Sequence, residues 1–386
     1  MHDATRLTHG GRDPKRQQGA VNPPVHHVST VIFDTLEALE NKHRLPPGSM
    51  TYGRHGTPLH HDLEQLMAEL EGAHGAVSCC SGLAAISIAL LSVVEAGAHL
   101  LVADNVYGPT RHLCDGLLAR MGVQTTYFDP ALGADVARLM RPETRAVYLE
   151  APGSLTFEIC DVPAIAAAAH EHDCCVLFDN TWATPLFFRA FDHGVDISIH
   201  AATKYVVGHT DAMLGVVSGN ERHAASVRRT ASDLGYYAGP DDVYLGLRGL
   251  RTLAVRLQQH QHNALALADW LAGRPEVAAV LHPARIDHPQ HELWQRDFAG
   301  ASGLFAAVLQ PVARERLAAM LDGLQYFGMG YSWGGYESLM LPVDPATTRS
   351  ATQWAWPGPT LRIHAGLENV DDLIADLTAG FERLAG

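Results

Sequence analysis

The amino-acid sequence predicts an α/β fold: a mainly parallel sheet with helices on both faces, followed by a smaller C-terminal α+β region. Two observations support this prediction. Short apolar runs of about four to eight residues alternate with helical segments between about residues 60 and 220, which is typical of βα units. Beyond about residue 251, a long helical pattern leads into a region of mixed strands and helices.

The predicted elements of the first region follow one another in a regular order. A helix covers DLEQLMAELEGA, and a second helix, GLAAISIALLSVVEAG, begins after Ser81 and Gly82. The helices that follow are TRHLCDGLLARMG and VPAIAAAAHEH. The predicted strands are HLLVAD, QTTYFD, RAVYLEAP, CCVLFDN, ISIH and AMLGVVSG. Strands this apolar are expected in a sheet that is buried on both faces, and ligands of such sheets bind beyond the carboxyl ends of the strands.

Two further regions flank this α/β region, which we assign to residues 59–251. Residues 1–58 are rich in Gly, Pro and His and only weakly periodic, so we expect an arm that packs on another surface, such as a neighbouring subunit. Residues 252–386 are predicted to form the C-terminal α+β domain. Its segments are TLAVRLQQHQHNALALADWLAG, VAAVLHP, SGLFAAVL, PTLRIHAG and the amphipathic helix DDLIADLTAGFERL.

Composition and charge exclude several classes of protein. Of the 386 residues, 47% are hydrophobic and 18% are charged, which is typical of a globular chain. The net charge of −14 disfavours nucleic-acid binding. We find no apolar signal core and no apolar run long enough to span a bilayer, so we expect a cytoplasmic protein with no membrane partner. The six cysteines are expected to be buried free thiols.

The 23 histidines raise the question of a metal site. They are scattered, and neither an HExxH motif nor a Cys/His quartet is present. Solvated or hydrogen-bonded histidines therefore explain the pattern better than ligands do, and we expect no metal.

Candidate functional residues follow the ends of predicted strands. Asp179 ends the strand CCVLF, where it is either a paired functional carboxylate or a turn residue. Ser81 and Gly82 precede a helix, whose N-terminus favours a phosphate, although such residues also cap helices. Lys204 follows the apolar stretch ISIHAAT, and a lysine held among apolar groups has a lowered pKa.

Together these residues predict a site for pyridoxal 5′-phosphate (PLP). Such a site needs a lysine amine, an anion-binding loop, a carboxylate at the pyridine nitrogen and an aromatic ring. Lys204 supplies the first, Gly82 and its helix the second, and Asp179 the third. Tyr107, which follows the strand HLLVAD, supplies the fourth.

Longer segments of the chain resemble a known family. They are TYGRHGTP, LEGAHGAV, LFDNTWATP, SIHAATKYVVGHTDAMLG, GLRGLRTLAVRLQQH, YSWGGYESL and LRIHAGLENVDDLIADL. With these segments the chain resembles the Cys/Met-metabolism family of fold-type I PLP-dependent enzymes over nearly its whole length. Within that family it is most similar to the bacterial cystathionine β-lyase branch.

The resemblance implies roles for the residues already named. Lys204 would hold the cofactor covalently and then move protons, Asp179 would keep the pyridinium protonated, and Tyr107 would stack on the ring and serve as a second candidate proton donor. The phosphate would be bound by the backbone at Gly82 and Leu83 and by the Thr203 hydroxyl.

The resemblance also implies residues that our reading of strand ends had not singled out. Tyr52 and Arg54 would reach the phosphate of a neighbouring subunit, so the protein would be a homo-oligomer, and the family suggests a tetramer built as a dimer of dimers. Arg362 would bind the α-carboxylate of an amino-acid substrate as a planar fork. Ala201 departs from most of the family, which has serine there, and matches the β-lyase branch.

Two positions favour β-elimination of L-cystathionine to L-homocysteine, pyruvate and ammonia, a step of transsulfuration and methionine biosynthesis. Family γ-enzymes tend to have Glu-Ser-Leu-Gly-Gly where this chain has an aromatic wall, Tyr331-Ser332-Trp333 followed by two glycines. Methionine γ-lyases place a cysteine where Pro109 stands. The alternatives are a cysteine or cystine C–S lyase and a cystathionine γ-synthase or γ-lyase. A regulatory protein without activity would be expected to lack Lys204, Asp179 or Arg362.

Overall fold

The computed structural model describes residues 1–15, 17–46 and 48–385 of the chain. Its main sheet has seven strands, in the spatial order β1-β7-β6-β5-β4-β2-β3. In chain order the strands are β1 (Gly75–Cys79), β2 (His99–Ala103), β3 (Gln124–Phe128), β4 (Thr144–Glu150), β5 (Cys175–Asp179), β6 (Ile197–His200) and β7 (Gly215–Gly219).

The main sheet is mostly parallel, as predicted. Strands β3, β2, β4, β5 and β6 pair in parallel, whereas β7 is antiparallel to both of its neighbours, β6 and β1. The predicted strands all form. Strand β1 is not among them, because its sequence GAVSC consists of small side chains and gives a weak apolar signal next to a strong helix.

Helices cover both faces of this sheet. They are α3 (Pro58–Glu71), α4 (Gly82–Leu91), α5 (Gly108–Leu113), α6 (Val162–Glu171), α7 (Thr184–Phe187), α8 (Ala224–Leu234) and α9 (Pro240–Leu250). The helix predicted from Thr110 onward is α5 continued by a π-helical turn, Cys114–Leu118. Consecutive residues of β7, Val216 and Val217, belong to two separate buried clusters, as expected for the two faces of one strand.

A smaller α+β region follows, again as predicted. Its antiparallel sheet has the order β10-β11-β9-β8. The strands are β8 (Val277–Leu281), β9 (Leu304–Leu309), β10 (Leu339–Val343) and β11 (Thr360–His364), and the helices are α10 (Leu253–Ala272), α11 (His291–Asp297), α12 (Arg314–Asp322) and α13 (Val370–Ala385). Strand β10 was not predicted, because Pro342 interrupts its pattern; as an edge strand it tolerates a proline.

The N-terminal arm holds two short helices, α1 (Asp3–His9) and α2 (Leu36–Glu40), and is otherwise irregular. Large apolar side chains on it are exposed in the single chain, among them Ile32 at 86% and Leu36 at 69%. The predicted boundary at 58/59 falls in the first turn of α3, and that at 251/252 falls between α9 and α10. None of the described helices is both long and apolar enough to cross a membrane.

Candidate active site

Most of the predicted site residues line a single cleft of about 430 Å³ beyond the carboxyl ends of β4, β5 and β6. Parallel strands bring their carboxyl ends to one edge, so residues far apart in sequence meet there. The predicted residues in its lining are Gly82, Leu83, Tyr107, Asp179, Thr203, Lys204, Tyr331, Ser332, Trp333 and Arg362.

Lys204 lies in the turn after β6, with its amine directed into the cleft. Its Nζ donates a hydrogen bond to Ser332 Oγ at 2.7 Å and lies 5.1 Å from the centre of the Trp333 ring. Burial, and secondarily the positive charge of Arg362, lowers the pKa of this amine to about 8, although Asp179 opposes the shift. The amine can therefore lose its proton near neutral pH.

The segment Tyr331–Gly335, which we call the wall loop, packs directly on the backbone of Lys204. A side chain at Gly334 would place its Cβ 3.1 Å from Lys204 Cα, and Gly334 itself has a φ of 87°. Ser332 has a φ of 77°, a left-handed conformation that is uncommon for a residue with a side chain. In this conformation the Ser332 hydroxyl accepts the hydrogen bond from Lys204.

Asp179 is the last residue of β5, and its carboxylate is buried. It accepts a hydrogen bond from the Thr181 backbone N–H at 3.1 Å and another from the Thr181 hydroxyl. Burial raises the pKa of Asp179 in spite of these bonds. A cation placed beside it in the cleft would be stabilised by this carboxylate and would lower its pKa again.

Glu150 is a cleft residue that the sequence analysis missed. It ends β4 and pairs in register with Asp179, and burial, together with the Asp179 charge, raises its pKa well above the usual range. Its Oε2 accepts a hydrogen bond from the Tyr107 backbone N–H at 2.8 Å, which fixes the start of α5. A signal was available, because Glu150 ends the predicted strand next to the one that Asp179 ends.

The N-terminus of α4 forms one end of the cleft. The Ser81 hydroxyl accepts a bond from Ala84 N, while the N–H groups of Gly82 and Leu83 donate to no described residue. These two donors, with the helix dipole, suit a phosphate. A Cβ at Gly82 would lie 2.5 Å from that of Ala201, so only glycine fits. The Thr203 hydroxyl lies nearby but bonds the Leu214 backbone.

Arg362 closes the opposite end of the cleft, on β11. Its Nη2 donates to the Ser332 carbonyl at 3.1 Å, and its side chain is mostly buried. Burial lowers its pKa, yet a guanidinium keeps its charge at any physiological pH. The remaining N–H groups can bind an anion in the cleft as a fork.

Tyr52 and Arg54 do not belong to this cleft. Arg54 Nη1 donates to the Ser232 carbonyl at 3.1 Å and lines a separate surface cleft, and Tyr52 is 44% exposed. Any contact of these two residues with the cleft contents therefore requires the cleft of a second copy of the chain.

These groups fit PLP. Unpaired helix N–H groups at Gly82 and Leu83 suit its phosphate, and the buried carboxyl of Asp179 needs a cationic partner such as a protonated pyridine nitrogen. The Lys204 amine, with its lowered pKa, suits the aldehyde.

Comparison with known proteins agrees with this fit. The chain is 45% identical over 387 residues to a cystathionine beta-lyase of Escherichia coli, with 98% of each chain covered. It is 43% identical over 387 residues to the cystathionine beta-lyase of Salmonella typhimurium, again with 98% of each covered.

A solved structure has the same fold. It is cystathionine gamma synthase from Xanthomonas oryzae pv. oryzae in complex with cystathionine, 30% identical, with a TM-score of 0.91 over 100% of this chain and 99% of that one. Residues 4–382 match the sequence model of the family described as Cys/Met metabolism PLP-dependent enzyme. The chain belongs to this family of PLP-dependent enzymes.

Proposed function

We propose that the protein is a carbon–sulfur β-lyase that cleaves L-cystathionine to L-homocysteine, pyruvate and ammonia, a step of methionine biosynthesis by transsulfuration. The observation that carries this proposal is the contact between the Lys204 amine and the wall loop, through Ser332 and the ring of Trp333. An aromatic wall next to the reactive amine separates this chain from the γ-enzymes, and its relatives at 43–45% identity bear the β-lyase name.

Substrate binding begins at Arg362. Its free N–H groups hold the α-carboxylate of the amino acid, which orients the Cα–H bond toward Lys204. The loss of water from so buried a cleft strengthens this ion pair. Ser332 and Tyr331 line the same end of the cleft, where they contact the rest of the substrate.

Proton transfer is the task of Lys204. With a pKa of about 8, its amine is neutral often enough to take the proton from Cα. Bound PLP supplies a sink for the electron pair left at Cα. Asp179 keeps a positive charge on the pyridine nitrogen by facing it with a buried carboxylate. When the Cβ–S bond breaks, the leaving sulfur takes a proton from the Lys204 ammonium or from the Tyr107 hydroxyl.

The phosphate is held by the backbone N–H groups of Gly82 and Leu83 and by Thr203, whose hydroxyl must turn from Leu214 to donate. Tyr52 and Arg54 reach it from a neighbouring subunit. The protein is therefore at least a dimer, and we propose a tetramer of two such dimers. The exposed apolar arm residues described above, which include Ile32 and Leu36, support burial of the arm in this assembly.

We place the enzyme in the cytoplasm, and the support is chemical. All six cysteines are free thiols, five of them buried, and only Cys80 is exposed. The partners of the enzyme are small amino-acid substrates. Its net negative charge gives no basis for nucleic-acid binding.

Two alternatives share the same residues up to proton removal. A cysteine or cystine lyase differs in the shape of the pocket beyond Cβ, and a γ-synthase or γ-lyase differs in the bond that is attacked. Tyr331, which is 92% exposed at the mouth of the cleft, stands where the γ-enzymes have a glutamate. The cleft therefore lacks one candidate base for the additional proton transfers of γ-cleavage.

The decisive experiment supplies L-cystathionine to the PLP-loaded enzyme and identifies the products. We expect pyruvate and homocysteine in equal amounts. Release of 2-oxobutyrate and cysteine would instead establish γ-cleavage and refute our interpretation of Tyr331 and Trp333. Faster turnover of L-cystine than of L-cystathionine, measured as kcat/KM, would favour the broader lyase.

A further inference from the structure

A second cluster of reactive side chains lies at the opposite edge of the main sheet from the cleft. Cys175 is the first residue of β5, Asp196 immediately precedes β6, and His223 immediately precedes α8. Their candidate ligand atoms all lie within 4.8 Å of one another. Three different chain segments therefore bring a thiol, a carboxylate and an imidazole to one point, at the amino-terminal edge of the strands.

The carboxylate of this cluster is held in place from several sides. Asp196 Oδ2 accepts hydrogen bonds from Val176 N at 2.8 Å and from His170 Nε2 at 2.9 Å, and Oδ1 accepts from Asn220 Nδ2 at 2.7 Å. Bonds of this kind orient the carboxylate ligands of metal ions, and they leave one lone pair of Oδ1 available. Asp196 is thus rigid before any ligand arrives.

The other two groups are free to bind. Neither the Cys175 thiol nor the His223 ring makes a hydrogen bond to any part of the chain that the structure describes. The neighbouring thiol differs, because Cys174 Sγ lies near the Thr144 carbonyl at 3.4 Å and the His172 carbonyl at 3.6 Å. Cys175 is only 6% exposed and lies beside two other potential ligands.

The carboxylate of the cluster borders an open cleft that neither Cys175 nor His223 lines. An open cleft of about 430 Å³ is lined by residues that include His170, Asp196 and Asn220, so an ion can approach the carboxylate directly. A strong positive charge close by, Arg222, is engaged by Asp173 in an ion pair of 2.9 Å. Among the described side chains, His170 is the basic group in direct hydrogen-bond contact with the Asp196 carboxylate.

We propose that Cys175, Asp196 and His223 form a binding site for Zn²⁺ or a chemically similar thiophilic divalent ion, with water from the cleft as the fourth ligand. A set of one sulfur, one imidazole nitrogen and one carboxylate oxygen suits zinc. Bound ligand atoms of a tetrahedral site lie roughly 3.5 Å apart, so the side chains must draw together by about an ångström. The ion would join the amino-terminal ends of β5 and β6 to the start of α8. This edge of the sheet carries none of the residues assigned to catalysis.

The test is a titration of the PLP-loaded enzyme, freed of metal by a chelator, with ¹¹³Cd²⁺ followed by NMR. Cadmium reports how many sulfur atoms it touches. We expect one tightly bound ion whose resonance indicates a single thiolate ligand. Cys175→Ser should abolish that resonance, and Cys174→Ser, which changes the adjacent thiol, should leave it in place.

A second pair of measurements keeps the proposal testable if Cys175→Ser does not fold. His223→Gln alters a half-buried ring without a hydrogen bond, and it should weaken Zn²⁺ binding more than about tenfold by competition with a chromophoric chelator. Zn²⁺ should also raise the melting temperature of the wild type but not of His223→Gln. Equal Zn²⁺ affinity in the wild type and in His223→Gln would overturn the proposal. So would a cadmium resonance that is lost when the exposed Cys80, and not Cys175, is substituted.

Discussion

The two walls of the active-site cleft are built in different ways. The sheet wall, which carries Asp179, Glu150 and the turn of Lys204, consists of strand ends that are buried and joined in register. The wall loop, residues 331–335, comes from the smaller C-terminal region and has two residues in left-handed backbone conformations. The sheet wall is fixed by the core of the protein, whereas the wall loop is fixed by contacts with Lys204, Arg362 and His364.

This difference indicates a division of labour. In the proposed mechanism, removal of the Cα proton depends on groups of the sheet wall. We propose that the choice of the bond that breaks depends on the wall loop, where Tyr331 is almost fully exposed and can be exchanged without disturbing the core. Changes to the sheet wall should therefore cost rate, and changes to the wall loop should alter selectivity.

The largest effect is expected from Lys204→Ala. The substitution removes both the attachment point of PLP and the proton carrier, so pyruvate release from L-cystathionine should fall at least about 10³-fold. A coupled pyruvate assay with excess PLP measures it. Arg138→Ala, at an exposed arginine outside both the cleft and the arm, is the control and should keep full activity. A Lys204→Ala enzyme with a tenth of the wild-type rate would contradict the assignment.

Asp179→Asn should be next, with kcat lower by about 10²–10³-fold, because a neutral amide does not stabilise a positive charge on the pyridine nitrogen. Glu150→Gln is the comparison, since it lies opposite in the register and keeps an acceptor for the Tyr107 N–H. We expect Glu150→Gln to lose less than tenfold. Steady-state kinetics of both variants at pH 8 give the two values of kcat. Equal losses in kcat would show that Asp179 contributes no more to the reaction than Glu150 does.

Within the sheet wall, the buried amine of Lys204 should also lower the free energy of unfolding when PLP is absent. The pKa of Lys204 in the folded chain, about 8, lies below the unfolded value of 10.5, so below pH 8 folding buries a protonated amine. That cost, about 3 kcal/mol, disappears as pH rises from 8 to 10.5. Lys204→Met should therefore stabilise the cofactor-free protein at pH 7 and lose its advantage near pH 10.5. Thermal unfolding at several pH values measures this, and a gain that is independent of pH would contradict the burial argument.

Arg362→Lys tests the substrate end of the cleft. A lysine keeps the charge but loses the fork, so kcat/KM should fall about 10–100-fold, mainly through KM. Initial rates over a range of L-cystathionine concentrations give both constants. A fall in kcat alone would mean that Arg362 acts on the chemical step instead of binding the carboxylate.

The smallest effect is expected from Ser332→Ala, which removes one hydrogen bond of about 1 kcal/mol from the Lys204 amine and should lower kcat about fivefold. Because Ser332 belongs to the wall loop, the variant should also release a larger fraction of products other than pyruvate, measured by chromatography. Ser226→Ala, on a helix outside the cleft, is the control. A rate loss with unchanged products would break the proposed division between the walls.

The sequence predicted the sheet wall better than the wall loop, for physical reasons. Apolar runs that end in Asp179 or precede Lys204 mark the carboxyl ends of strands, and strand ends meet at one edge in any parallel sheet. The bond from Lys204 to Ser332 joins residues 128 positions apart in different regions, so no local pattern indicates it. The left-handed conformation of Ser332 is likewise unexpected for serine.

Two misses have different causes. Glu150 could have been recognised, because it ends a strand that was itself predicted. The proximity of Cys175 to Asp196 and His223 could not, because these residues are brought together only by the pairing of β5 with β6 and by the turn into α8, and a metal site there remains a proposal. The roles of Tyr52, Arg54 and Arg362 came from family resemblance alone, and all three remain predictions.

The contact between Gly82 and Ala201 limits the order in which this sequence can change. A methyl group at position 82 would need the space that the Ala201 side chain already fills, at 2.5 Å. Serine at 201 adds its oxygen beyond the same Cβ, so an ancestor or a designed variant could carry serine there and gain a phosphate contact in one step. Position 82 has no such freedom, because a Cβ there would also lie 3.0 Å from the Cα of residue 201, whichever side chain that residue carries.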